Sequence, residues 1–233
     1  MKNKFDIAFG VLLAIILTAC AAYSSVIVSA SDGGPRTTIQ DAAKEGVSED
    51  LYFLGKPTLL LVGDDRLARW KDKLFGSDWE VYNWSVSDIT SFEVALNVMP
   101  RVSAGHYHSA VLSLGIQDAM TYQTDTDFSR SLLACIRTMQ VCSDNVYVTS
   151  VPGIRTSAIY SEASCAELNK RIKNINENIF KVTKASKATY ISLSSLYNED
   201  FSIKKEYTDS NGILYSKEGF AVFYKIVSES MEK

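Results

Sequence analysis

Residues 58–67 read TLLLVGDDRL, in which four apolar residues, Leu59 to Val62, run into a glycine, two aspartates, an arginine and a leucine. An apolar run this short, closed by glycine, suits a strand buried on both faces rather than a surface helix. The residues after Gly63 then open a helix, placed at 66–75. The same strand-then-helix alternation continues along the chain. WEVYN (79–83), HSAVLSLG (108–115), NVYVTSVPG (145–153) and ATYISL (188–193) read as four further strands. Between and after them, 90–103, 126–141, 162–184 and 216–231 read as helices. The 90–103 segment carries Phe92, Ala95, Leu96 and Met99 at helical spacing, and the 162–184 segment carries Leu168, Ile172, Ile175 and Ile179. Repeated β-α units predict a three-layer α/β/α domain over residues 51–233, with a five-stranded parallel sheet ordered 2-1-3-4-5 as in flavodoxin-like folds.

Composition agrees with a globular chain: 233 residues, 46% hydrophobic and 22% charged. A net charge of -3 argues against a nucleic-acid partner. The four cysteines lack the C-x-x-C spacing of a zinc site, and only His106 and His108 are available for acid-base work. Cys135 and Cys142 share a helix face and read as small buried groups; a Cys142–Cys165 disulfide is the alternative. No cofactor and no metal is expected.

The N-terminus is set apart. Lys2 and Lys4 precede 24 uncharged positions, residues 7–30, long enough to cross a bilayer. By the positive-inside rule the rest of the chain then lies on the extracytoplasmic face. Leu17-Thr18-Ala19-Cys20 reads as a lipoprotein signal in which Cys20 is lipidated, and an uncleaved membrane anchor competes with it. Val28-Ser29-Ala30 offers a less favoured cleavage site. Residues 31–50 read as a polar tether.

In a parallel sheet of this kind the ligand sits beyond the carboxyl ends of the strands. Gly63-Asp64-Asp65-Arg66-Leu67 follows the first strand, Asn83-Trp84-Ser85-Val86-Ser87-Asp88 the second and Gly115-Ile116-Gln117-Asp118 the third. Asn211-Gly212-Ile213-Leu214-Tyr215 precedes the last helix. In this order the four segments resemble the four blocks of the SGNH hydrolase (GDSL esterase/lipase) family, over residues 56–231. The resemblance implies a serine nucleophile, a histidine base, an orienting aspartate, and an oxyanion hole that includes a glycine N–H and an asparagine. Position by position, the serine falls on Asp65, the glycine on Asp88, the asparagine on Gln117, the aspartate on Asn211 and the histidine on Leu214. All five differ. Leucine cannot accept a proton, and a carboxylate at the glycine position repels an oxyanion. His106 and His108 precede the third strand, at the opposite end of the sheet.

No catalytic residue is therefore expected. The reading is a membrane-tethered, catalytically inactive domain that binds an envelope glycan or a partner protein of the envelope. An active envelope esterase or an O-acyl transfer accessory is the alternative that the resemblance implies. Ligand-binding candidates are Asp64, Asp65, Asp88, Gln117 and Asn211. With Asp118 these carboxylates also suit a hard cation such as calcium, while Trp70, Trp84 and Tyr215 read as ordinary core and helix packing, with stacking on a sugar ring as the sharper alternative. The basic run Lys170, Arg171, Lys173, Lys181, Lys184 and Lys187 reads as a solvated helix face, with a membrane-facing patch as the sharper alternative.

If the lipoprotein signal is used, the unaltered protein takes up labelled lipid and Cys20→Ala does not. A membrane-bound protein that never labels selects the uncleaved anchor.

Overall fold

The computed structural model describes residues 55–69 and 79–232. The expected anchor, tether and Cys20 lie outside the described residues, as do Trp70 and most of the helix expected at 66–75.

Five strands form one parallel sheet: β1 (Thr58–Gly63), β2 (Glu80–Asn83), β3 (Tyr107–Ser113), β4 (Ser143–Thr149) and β5 (Thr189–Ile191). Their order is β2-β1-β3-β4-β5, as the sequence predicts. Side chains alternate across the sheet, so β1 feeds two cores. Leu60 and Val62 join Ala110, Leu112, Val146 and Val148 beneath one layer of helices. Leu59 and Leu61 join Val111, Tyr147 and Ile191 beneath the other.

The first helical layer holds α2 (91–102), α3 (Ile116–Met120), α4 (Asp125–Cys142) and α5 (Glu162–Ser186). Leu132, Ile136 and Met139 of α4, and Leu168, Ile172, Ile175 and Ile179 of α5, face the sheet. The second layer holds α1 (Asp65–Ala68), through Leu67, and α6 (Lys217–Met231), through Phe220, Phe223 and Val227. Short polar caps start these helices: Thr90 with Glu93 in a capping box, then Thr124, Ser161 and Ser216. Cys135, Cys142 and Cys165 are buried free thiols, so the alternative Cys142–Cys165 disulfide is not formed.

The register of α2 differs from the sequence expectation. Val94, Val98, Met99 and Val102 face the core, whereas Phe92 and Leu96 are 53% and 58% exposed. Pro100 is the physical reason. It has no N–H to donate four residues back, and its ring crowds that carbonyl. The turn before it widens into a π-helix, Val94–Val98, which rotates the apolar face.

Strand order reverses at β1, whose chain moves first to β2 and then back across to β3. The carboxyl ends of β1 and β3 therefore border the crevice where such sheets place a ligand. The backbone is tight there. A Cβ on Gly63 would stand 2.9 Å from the Ser113 carbonyl, and Gly115 has φ 137°, so both positions require glycine.

Candidate functional site

Four polar clamps join the loops around the crevice. The first is Asp64, which caps α1 and accepts from Arg66 N. Its other oxygen accepts from the backbone N–H groups of Gly115 and Ile116, both at 3.1 Å. One buried carboxylate thus pins the β1 loop to the β3 loop. Burial pushes its pKa up to about 7, against the lowering effect of the Arg66 charge and the backbone donors. Asp64 cannot serve as a ligand-binding carboxylate, because it is buried and its bonds are spent inside the fold.

The second clamp is Arg66, only 2% exposed. Its guanidinium donates to the carbonyls of Pro152, Gly153 and Ile213. It also lies over the Tyr215 ring, 5.4 Å from the centroid. Arg66 thereby ties the β1 loop to the segment after β4 and to the block before α6. Sequence reasoning missed this role, since its partners lie far away in the chain. Tyr215 is buried against Arg66 and Phe223, so its core-packing reading holds and it offers no face to a sugar.

The third clamp joins the two positions that the sequence resemblance matches to the nucleophile and the oxyanion glycine. The Asp65 carboxylate accepts from Asp88 N at 3.0 Å. Asp88 has φ 56°, a left-handed conformation that glycine adopts without strain. The backbone thus makes a turn that suits a glycine, and its N–H points to Asp65. A carboxylate now occupies that donor. In the fourth clamp, the buried Asp118 accepts from Ser91 N and from Ser91 Oγ at 2.6 Å, joining the β3 and β2 loops. Burial raises its pKa.

The remaining expected positions are less tightly bound. Gln117 is half-buried in the first turn of α3. Asn211 is half-buried beside Gly212, whose φ is 76°. Asp209 organises the turn that holds Leu214: its Oδ1 accepts from Ile213 N and Leu214 N, and its own N–H donates to the Leu214 carbonyl. Asp209 stands two positions before Asn211-Gly212, and that turn signal could have identified it. The histidines lie at the amino end of the sheet. His106 Nε2 is 3.1 Å from Asp144 Oδ1 with its side chain 69% exposed, and His108 Nδ1 accepts from Thr58 N.

The four carboxylates do not form one cation site. Asp64 and Asp118 turn inward to backbone and hydroxyl donors, and among the described residues no group of three or more His, Cys, Asp or Glu could hold a metal ion. Beside the crevice, Tyr122 (62% exposed, φ 60°) and Phe92 border a hollow of about 480 Å³. Its lining also includes Thr90, Gln123, Thr124, Asp127 and Arg130. The Arg171 guanidinium stacks 3.9 Å above the Tyr122 ring.

Neither a family model nor a curated protein sequence matches the chain. Solved structures do. A GDSL-like lipase from Bacteroides thetaiotaomicron is 16% identical, with TM-score 0.62 over 83% of this chain and 96% of that one. An aryl esterase from M. smegmatis is 12% identical, with TM-score 0.61 over 76% and 99%. An acetylxylan esterase from Geobacillus stearothermophilus is 10% identical, with TM-score 0.60 over 76% and 94%. The chain has the SGNH hydrolase fold.

Asp64 gives the fold a testable pH dependence. Its carboxyl stays protonated in the folded state up to about pH 7, but ionises near 3.8 once the chain unfolds. The stability it contributes is complete below about pH 4, is lost as pH rises toward 7, and then levels off. Chemical denaturation from pH 4 to 8 should show this decline superimposed on the other titrations. Asp64→Asn, which cannot ionise, should remove that component.

Proposed function

We propose that this chain is a membrane-tethered, extracytoplasmic domain in which the SGNH hydrolase fold serves as a binding scaffold without hydrolysis, and that its ligand is a glycan of the cell envelope. One observation supports the loss of catalysis: the carboxylate of Asp65, the residue that the resemblance matches to the nucleophile, accepts the Asp88 N–H. An oxyanion hole works by meeting developing negative charge with unoccupied donors. Here the donor already holds an anion. Leu214 supplies no base, and both histidines lie at the far end of the sheet. Triad members act as a unit, so the rate does not survive their combined loss.

A glycan fits the surface beside the crevice. Phe92 and Tyr122 offer exposed rings, and threonine hydroxyls, an amide, a carboxylate and a guanidinium surround them. Sugar rings stack their C–H faces on aromatics while their hydroxyls take up such groups. The tether rests on the uncharged segment at residues 7–30. The second reading, an active envelope esterase or O-acyl transfer accessory, draws on what the similar solved proteins are called: an aryl esterase and an acetylxylan esterase.

Hydrolysis assays separate the two. The purified protein should leave activated acyl esters at the buffer rate, and a serine-directed phosphonate should not label it. Asp65→Ser alone should rescue nothing, because no base is present. Saturable turnover by the unaltered protein, abolished by Asp65→Ala, overturns the binding-scaffold reading. For the ligand, Tyr122→Ala should reduce retention on insoluble wall polysaccharide by about tenfold, the loss of one stacking contact.

A further inference from the structure

The long helix α5 carries its basic residues in a pattern that a merely solvated face does not require. Lys170, Lys173, Lys181 and Lys184 follow spacings that place them on one stripe, with Glu177 the one acidic residue among them. All five are exposed. Among the described residues, no carboxylate lies within 4.0 Å of any of the four ammonium groups, whereas Lys225 of α6 pairs with Glu229. A chain of net charge -3 thus concentrates unpaired positive charge on one helix face.

A second, independent feature lies within that stripe. Phe180, 49% exposed, stands edge-on to Tyr190 with ring centroids 5.3 Å apart. Phe201, at φ 70°, stacks on Tyr197 at 4.5 Å. Phe180, Tyr190 and Phe201 line a hollow of about 390 Å³ together with Lys173, Asn176, Glu177 and Lys181; Phe180 is exposed and the other two rings are half-buried. Lysines alone attract any polyanion. Lysines around an exposed aromatic ring match a surface that is anionic outside and apolar just beneath, because their stems lie along the apolar layer while the ammonium groups meet phosphate.

We infer that this face of α5 docks on an anionic lipid surface, with Lys173 and Lys181 meeting headgroup phosphates and Phe180 entering the interface. This contact is separate from the N-terminal segment. It holds the domain down on the bilayer instead of leaving it free at the end of a tether.

The test uses the full chain with phosphatidylcholine vesicles, with and without about 30% phosphatidylglycerol, and reads amine-reagent footprints by mass spectrometry. Lys173 and Lys181 should react about fivefold more slowly on anionic vesicles than on neutral ones, and about 0.5 M salt should restore the rate. Lys225, on the opposite helical layer, should not change. The double variant Lys173→Glu/Lys181→Glu should lose the protection of Lys170 and Lys184. Phe180→Ser should weaken protection on vesicles while leaving any protection by soluble polyphosphate unchanged. Equal rates on both vesicle types overturn the proposal, as does protection of Lys225 in step with the stripe. Protection by polyphosphate but not by vesicles also overturns it, in favour of a soluble polyanion. Sedimentation with neutral vesicles reports the N-terminal segment alone, so failure of the tether and failure of this surface are distinguishable.

Discussion

The structure depends on one buried carboxylate. Asp64 collects backbone N–H groups from both sides of the point where strand order reverses, so that its carboxylate ties the β1 loop to the β3 loop. Ionised, it is stabilised by those donors and by the neighbouring Arg66; neutral, it avoids the cost of burying a charge. Its raised pKa expresses that balance. The loops that shape the crevice inherit their positions from it: Asp65 follows in the same turn, and Gln117 follows the two residues that it binds.

From there the clamps form a closed circuit. Asp64 joins the β1 and β3 loops, Asp118 the β3 and β2 loops, Asp65 the β2 and β1 loops, and Arg66 brings in the segment before α6. In an SGNH hydrolase the equivalent loops present a nucleophile and a base to solvent. Here these loops are bonded to one another through their side chains.

Much of the fold was legible in the sequence because it follows from period. Leu59-Leu60-Leu61-Val62 reads as a strand buried on both faces, and the structure divides these residues between two cores. The strand order and the four loop segments were legible too. Three features were not. The face of α2 was misread because Pro100 widens the preceding turn, an effect that helical spacing does not encode. The partner of Tyr215 is not legible either, because nothing local marks it as the ring beneath Arg66. Asp209, not Asn211, holds the last turn, because hydrogen-bond direction there is decided by backbone placement. Of the expected site residues, Asp65 and Asp88 do meet, whereas Asp64 is used up inside the fold.

Arg66 also has a bearing on the order of assembly. Its carbonyl partners are 86, 87 and 147 positions away in the chain. Contacts of such separation carry a large loop-closure entropy and form after the local helices and neighbouring strands have already reduced it. On these separations the guanidinium is expected to stay hydrated until the segments after β4 and before α6 are in place, so that the centre of the crevice dries late in assembly.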